Sequence, residues 1–160
     1  MTEVDARAIM TWRYEEPYAL YSLDDSPETV AELLNADSPS FAARDETGEL
    51  VGFFCFGTLA GIESHPTPAL YGPGRRILTV GLGLRPERTG LRAGYGLAFV
   101  NAGLELARGR FAPEAFRMYV LTFNERALRV YGRAGFEQVG LRRVRDVHGE
   151  LEFLVLWRPA

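Results

Sequence analysis

The chain has 160 residues, a formal net charge of −3, 47% hydrophobic residues and 24% charged residues, which is the composition of a soluble globular protein. This length predicts one domain over residues 1–160 that buries roughly 70% of the surface of its unfolded chain. Because the chain has no long apolar run, no signal-peptide pattern and no basic excess, we expect a cytoplasmic protein without membrane or nucleic-acid partners.

The N-terminal residues predict a strand followed by an irregular segment. The strand is expected at residues 7–13, ARAIMTW, because this run is mostly apolar. Tyr14, Tyr18 and Tyr21 follow at spacings of four and three, so their rings share one side of a short helical or irregular segment. Such rings either pack against the core or contact a substrate, and the sequence leaves both interpretations open.

A short helix is predicted after this segment. Ser26 is a suitable N-cap, and Pro27 occupies the first helical position, where its missing N–H has no cost. Val30, Leu33 and Leu34 then form the expected apolar side of the helix.

A β-hairpin and a long loop are predicted next. Residues 41–44 and 49–58 read as strands around a polar turn, and Cys55 lies between two phenylalanines in the second strand. A single cysteine excludes an internal disulfide and a cysteine-rich zinc site, and no metal site is predicted. Residues 59–75 are rich in Pro and Gly and contain Glu63 and His65, a pair more typical of a solvated surface than of catalysis.

The central unit of the chain is a strand, a glycine-rich turn and a helix. The strand is predicted at 77–84, the turn contains Gly90, Gly94 and Gly96, and the helix is predicted from Gly94 to about Arg108. The first amides of a helix lack intrahelical partners and carry partial positive charge, and glycine allows a phosphate to approach the backbone closely. This unit therefore predicts a phosphate-bearing cofactor.

The C-terminal part predicts one further strand and helix and then a hairpin. The expected elements are a strand at 115–123, a helix from the N-cap Asn124 to Gly135, and strands at 137–146 and 150–158. Together with the preceding elements, this order predicts a mixed α/β fold, with helices packed around one sheet.

Two common phosphate motifs do not fit the glycine turn. A Walker A loop requires lysine, and the chain contains none. A dinucleotide fingerprint requires a third glycine, whereas Ala98 and Phe99 follow Gly94-Tyr95-Gly96. A helix that merely begins with glycines remains the simplest alternative.

Two separated segments together resemble the GNAT superfamily of N-acetyltransferases. LGLRP at 82–86, followed by GYG at 94–96 and an apolar helix, resembles its acetyl-coenzyme A signature. NERALRVYGRAGF at 124–136 is similar to its second signature, at the expected distance along the chain. The resemblance extends over nearly the whole chain. It implies a mostly antiparallel central sheet with helices on both faces and two splayed parallel strands, here 77–84 and 115–123.

The resemblance also implies which residues contact the cofactor, acetyl-CoA. Splaying would leave the backbone amides and carbonyls of residues 82–84 unpaired, and the pantetheine arm would bond them. The pyrophosphate would lie on the amides between Leu91 and Gly96. The expected cofactor-binding residues are Leu82, Gly83, Leu84, Leu91, Arg92, Gly94, Tyr95, Gly96 and Asn124. Arg88 is either a further phosphate ligand or a solvated loop residue. Leu91 departs from the Gln or Arg usual at its position, and the loop is about two residues longer than is typical of the superfamily.

The resemblance implies acetyl transfer to an amine. Tyr131 is the expected general acid for the departing thiolate, and a backbone amide near Leu82 or Leu84 would bond the thioester carbonyl. A packed core aromatic is the alternative for Tyr131. The predicted strand 77–84 contains no carboxylate, so Glu63 or Glu15 on loops is the expected base.

Two functions follow from these expectations. The first is an acetyl-CoA-dependent N-acetyltransferase that acts on a small-molecule amine or on a peptide or protein N-terminus. The alternative is a GNAT-fold domain that binds an acyl-CoA with little or no catalysis, as the missing strand carboxylate suggests. Either would be a monomer or a homodimer.

Overall fold

The computed structural model describes residues 1–62, 76–90, 94–146 and 149–160. Within these ranges the α-helices are Glu3–Met10 (α1), Pro27–Leu33 (α2), Tyr95–Phe111 (α3) and Glu125–Arg133 (α4). The strands are Ser40–Arg44 (β1), Leu50–Phe56 (β2), Ile77–Leu84 (β3), Ala115–Leu121 (β4), Glu137–Asp146 (β5) and Gly149–Pro159 (β6). Short 3-10 turns lie at Ala19–Tyr21, Gly57–Ala60 and Pro86–Arg88.

The strands form one six-stranded sheet in the order β1-β2-β3-β4-β6-β5. Each neighbouring pair is antiparallel except β3 and β4, which are parallel. This is the mixed, mostly antiparallel sheet with one central parallel pair that the sequence predicted. Within the described residues, no helix has the length and apolarity needed to cross a bilayer.

Helices cover both faces of the sheet, as predicted. The side chains of β2 alternate between these faces: Phe54 stacks on Phe99 of α3 with ring centroids 4.5 Å apart, whereas Phe53 contacts Trp12 on the other side. The main hydrophobic core joins the sheet to α3 and α4. A smaller cluster joins α1 and α2 to Phe53 and Leu59.

The prediction of a first strand at residues 7–13 was wrong, because this region belongs to helix α1 and its C-terminal end. Thr2 and Asp5 form a capping box at its start. Ala6, Ile9 and Met10 are buried at helical spacing, so the apolar run covers one helical stripe instead of alternating across a strand.

Helix α2 begins as predicted, with Ser26 accepting a hydrogen bond from the Thr29 amide and Pro27 in the first turn. Val30 and Leu33 are buried, but Leu34 is 41% exposed, so its predicted place on the apolar side was wrong. Leu34 is the C-cap residue and therefore lies where the helix ends and its periodicity is lost. The ends of β2 and β4 were each predicted two residues too far along the chain.

Two glycines of β3 leave room for side chains of β2 to lie over the β3 backbone. A Cβ atom at Gly83 would lie 2.2 Å from Cε1 of Phe53, and one at Gly81 would lie 2.6 Å from Sγ of Cys55. The sequence Gly-Leu-Gly in β3 therefore places Phe53 and Cys55 over the strand on the face that carries α1 and α2.

Gly83→Ala is expected to lower the free energy of unfolding by about 1–3 kcal/mol, because Phe53 must leave its packed rotamer. Gly109→Ala is the matched control, because an added Cβ there meets nothing within 4 Å. That helix position is expected to gain roughly 0.5–1 kcal/mol. Urea denaturation of both variants measures the difference, and equal stabilities would contradict the packing assigned to Gly83.

Candidate functional site

The parallel strands β3 and β4 separate at the centre of the sheet. Their paired positions end at Thr79 and Arg117, although β3 continues to Leu84 and β4 to Leu121. A cavity of about 860 Å³ opens at the separation and reaches from the α1 and α2 side to α3 and α4. The separation that the family resemblance implied is therefore present, and it forms a site of ligand size.

The free edge of β3 directs specific backbone groups into this opening. The Arg85 amide donates to the carbonyl oxygen of Val51 on the β2 side at 2.8 Å, whereas the Leu84 carbonyl points away from β2. Because antiparallel pairing alternates, the amide and carbonyl of Leu82 and the amide of Leu84 face the opening, and those of Gly83 face β2. Leu82 and Leu84 therefore offer backbone hydrogen bonds to a ligand, whereas Gly83 provides space for Phe53.

One predicted free carbonyl is already bonded. The Tyr14 hydroxyl donates to the Leu84 carbonyl oxygen at 2.8 Å, so the expectation that all backbone groups of residues 82–84 are unpaired was wrong. Burial raises the pKa of Tyr14 to about 12, and the nearby Glu87 carboxylate acts in the same direction. Tyr14 therefore remains protonated at neutral pH and joins the N-terminal segment to the end of β3.

Helix α3 points its N-terminus at the cavity. Gly94 is the N-cap with φ of 90°, a conformation that favours glycine, and no described side chain caps the first-turn amides. That turn contains no acidic residue, and Gly94, Tyr95 and Gly96 line the cavity. Open amides at the positive end of a 17-residue helix suit a phosphate group.

Arg88 lines the cavity, but carboxylates of the β1–β2 hairpin hold its guanidinium. It forms an ion pair with Asp45 at 3.3 Å and a closer one with Glu49. This contact fixes the loop after β3 to the hairpin, and both alternatives for Arg88, phosphate ligand or solvated loop residue, stay open. Gly90 also lines the cavity.

Asn124 connects helix α4 to the N-terminal segment. Its Oδ1 accepts from the Ala127 amide at 3.1 Å, as predicted for an N-cap, and its Nδ2 donates to the Tyr21 hydroxyl at 3.0 Å. Tyr18 lies between Phe123 and the guanidinium of Arg126, which is 4.0 Å from its ring centroid. The tyrosines at positions 14, 18 and 21 thus both pack and line the cavity.

Tyr131 lies on the buried side of α4 and is 8% exposed, so it belongs to the core and also lines the cavity. Its hydroxyl has no hydrogen-bond partner among the described residues. Burial raises its pKa well above the usual value of 10.0, and the nearby Tyr21 contributes to the shift. The phenol is therefore protonated at neutral pH and belongs to a residue that lines the cavity.

Cys55 is buried, as predicted for a packed thiol, although it reaches the cavity wall. Burial raises the pKa of the thiol to about 12, so the reactive thiolate is scarce at neutral pH. No group of three metal-ligating side chains occurs in the ranges that the structure describes.

The model of the acetyltransferase (GNAT) family matches residues 6–136. This chain belongs to that family. A mycothiol acetyltransferase of Propionibacterium freudenreichii subsp. shermanii is 36% identical over 97 residues, which are 61% of this chain. Those residues are only 27% of that relative, so the chain spans a minor part of its length.

Solved GNAT structures share the fold at low sequence identity. A chimeric Vibrio cholerae spermidine N-acetyltransferase superposes with a TM-score of 0.71 and 15% identity, covering 99% of this chain and 92% of that one. An aminoglycoside acetyltransferase in complex with coenzyme A and kanamycin superposes with a TM-score of 0.70 and 20% identity, covering 99% and 91%.

Most of the GNAT site residues expected from the sequence line this one cavity: Leu82, Gly83, Leu84, Gly94, Tyr95, Gly96, Asn124 and Tyr131. Leu91, Arg92 and Glu63 lie outside the described residues. Glu15 is exposed and is not among the residues that line the cavity. Sequence reasoning missed Glu32, the only carboxylate among the described lining residues, because an exposed helical Glu carries no distinguishing pattern.

Proposed function

We propose that this GNAT domain, residues 1–160, is an acetyl-CoA-dependent N-acetyltransferase acting on a primary amine of a small molecule or of a peptide or protein N-terminus. One observation carries the proposal: Tyr131, whose hydroxyl has no partner among the described residues, lines the same cavity as the free edge of β3 and the open N-terminus of α3. The relatives named for mycothiol, spermidine and aminoglycosides support acetyl transfer as the reaction class.

The residues present fit the cofactor. The backbone of Leu82 and the amide of Leu84 match a peptide-like pantetheine arm, because such an arm can both donate and accept hydrogen bonds. The amides from Gly94 to Gly96 suit the pyrophosphate. Leu91, Arg92 and the remaining N–H of the Asn124 amide are proposed as further contacts. When bound, the cofactor supplies an activated acetyl thioester.

The chain's own groups then have distinct roles in the proposed reaction. An amide of Leu82 or Leu84 holds the acetyl carbonyl oxygen and stabilises the negative charge that develops there. Tyr131 holds a proton at its phenol oxygen for the departing sulfur, and its high pKa keeps that proton in place at neutral pH. Positioning of the two reactants in the cavity supplies much of the remaining acceleration.

The base for the acceptor amine would be a carboxylate outside β3. Strand β3 has Gly81 and Gly83 facing α1 and α2, so it offers no carboxylate to the acceptor amine. Glu63 is kept as a candidate, and Glu32 is the lining carboxylate that the structure adds. The absence of a β3 carboxylate is the observation that favours the alternative, a domain that binds acyl-CoA with little catalysis.

A turnover assay tests the proposed function. The protein is incubated with acetyl-CoA and panels of small amines and N-terminal peptides, and acetylated product is detected by mass spectrometry against amine-free and protein-free controls. The proposal predicts protein-dependent product with at least one acceptor. Calorimetric binding of acetyl-CoA without any product would instead support the binding domain.

A further inference from the structure

We propose that the acceptor is a monoamine with an apolar aliphatic or arylalkyl body, not a polycation of the polyamine or aminoglycoside type. This inference rests on the proposed N-acetyltransferase function and specifies its second substrate. It comes from the walls of the cavity on the side of α1 and α2, opposite the α3 and α4 side.

Aromatic and aliphatic side chains form that acceptor-side wall. They come from the segment before α2, from α2 itself and from β2, and they include Tyr18, Leu20, Tyr21, Leu23, Leu33 and Phe53. Leu33 and Phe53 also belong to the smaller hydrophobic cluster, so this wall is continuous with packed core. Binding of an apolar substrate body would be favourable, because it displaces water from this wall.

The floor of the acceptor side is apolar as well. Gly81 and Gly83 leave the face of β3 without side chains, and Phe53 and Cys55 cover that space. The pKa of Cys55, raised to about 12 by burial, keeps its thiol neutral. Among the described residues, the part of the cavity nearest the free edge of β3 therefore contains no charge to pair with an ammonium group.

Negative charge is scarce around the whole cavity. Glu32, exposed on α2, is the one carboxylate among the described lining residues. The sequence of the residues outside the described ranges contains one further carboxylate, Glu63. These residues are 63–75, 91–93 and 147–148. A polyamine or aminoglycoside carries several ammonium groups, and each one that leaves water without a partner is strongly unfavourable.

Positive charge already occupies part of the aromatic wall. The Arg126 guanidinium lies 4.0 Å from the Tyr18 ring centroid, so this ring already makes a cation–π contact. Additional cations would meet repulsion there, whereas a neutral substrate body would not.

The apolar wall also explains how the acceptor amine loses its proton although β3 carries no carboxylate to act as the base. Transfer of an ammonium group into apolar surroundings lowers its pKa, as it does for a buried lysine. The substrate then releases its proton to water at the cavity mouth and enters as the neutral amine, whose lone pair is free to attack. As the C–N bond forms and the C–S bond breaks, the nitrogen loses one further proton, which replaces the proton that Tyr131 gives to the departing sulfur. The proton count therefore balances without a carboxylate on β3.

A matched pair of substrates tests the inference. n-Hexylamine and 1,6-diaminohexane have the same chain length and differ by one charge, and 2-phenylethylamine and spermidine extend the comparison. We expect kcat/KM for hexylamine to exceed that for the diamine by about tenfold or more, and phenylethylamine to exceed spermidine similarly. The free thiol produced from acetyl-CoA measures the rate.

A pair of variants tests the location. Leu20 lines the cavity and is 38% exposed, whereas Leu34 is 41% exposed and is not among the lining residues. Leu20→Asp is expected to shift the hexylamine-to-diamine ratio about two- to fivefold toward the diamine, because it adds a carboxylate to the wall. Leu34→Asp is expected to leave the ratio unchanged.

The outcomes separate this inference from the proposed function. Equal or better turnover of the diamine or of spermidine would overturn the apolar acceptor while leaving the N-acetyltransferase intact. Equal shifts in Leu20→Asp and Leu34→Asp would also overturn it, because the wall would then not set the preference. No turnover with any amine would overturn the proposed function, and the inference with it.

Discussion

The Gly94→Glu variant is expected to lose acetyl-CoA binding by roughly a hundredfold or more in Kd. A Cβ at Gly94 meets nothing within 4 Å, so the new side chain enters open space at the cavity. There its carboxylate lies beside the first-turn amides of α3, where the pyrophosphate is proposed to bind. It would occupy the phosphate position and repel the negatively charged pyrophosphate. Isothermal titration calorimetry of the folded variant with acetyl-CoA measures the loss.

Gly48→Glu is the control for this experiment. Gly48 has φ of 85°, close to the 90° of Gly94, and its added Cβ likewise meets nothing within 4 Å. Both variants therefore impose a similar backbone cost, about 1–3 kcal/mol, but Gly48 lies in the β1–β2 turn away from the cavity. Acetyl-CoA binding is expected to survive in Gly48→Glu. Unchanged binding in Gly94→Glu would remove α3 from the cofactor site.

Local signals predicted well the elements that form the proposed cofactor side of the cavity. The strand at 77–84 has the predicted bounds, Gly94 caps α3, and the Asn124 side chain caps α4. These features depend on neighbouring residues: an apolar run ended by Pro86, a glycine at a left-handed position, and an amide three residues before the N–H that it accepts. Short-range rules therefore suffice for this half.

The proposed acceptor side of the cavity depends on contacts between distant parts of the chain. Tyr14 and Leu84 are 70 residues apart, and Tyr21 and Asn124 are 103 apart, yet each pair shares a hydrogen bond. The wrong strand at residues 7–13 shows the same limit, because a short apolar run suits a strand or a helical stripe equally. Packing of α1 on the sheet decides between them, and that information is not local.

The same contacts explain how the two halves form one cavity. Tyr14 attaches the N-terminal segment to the end of β3, and Tyr21 attaches it to Asn124 beyond the end of β4. The segment therefore bridges the two strands where they have separated. Tyr14 and Tyr21 also line the cavity, so the contacts that bridge the strands shape its wall on the side of α1 and α2.

The Tyr131→Phe variant is expected to keep acetyl-CoA affinity and to lose about 10²- to 10⁴-fold in kcat. The substitution removes only the hydroxyl and retains the ring, which packs in the core. The centroid of this ring lies 6.2 Å from the centroid of the Phe136 ring. Stopped-flow or steady-state thiol release measures kcat, and calorimetry measures affinity. Tyr18→Phe removes another hydroxyl from the same cavity. Its loss of kcat is expected to be at least about tenfold smaller than that of Tyr131→Phe.

The pH dependence of the wild-type protein provides a second test of Tyr131. Burial, together with the neighbouring Tyr21, raises the pKa of Tyr131 above its usual 10.0, so the folded protein keeps the phenol protonated beyond that pH. The kcat profile is therefore expected to show no descending limb from this group up to about pH 10, whereas an ordinary tyrosine acid would be half ionised there. A fall in kcat between about pH 8 and 10 that disappears in Tyr131→Phe would contradict the buried acid. A variant with normal kcat at every pH would instead leave Tyr131 as a core aromatic and assign proton delivery to another group of the cavity.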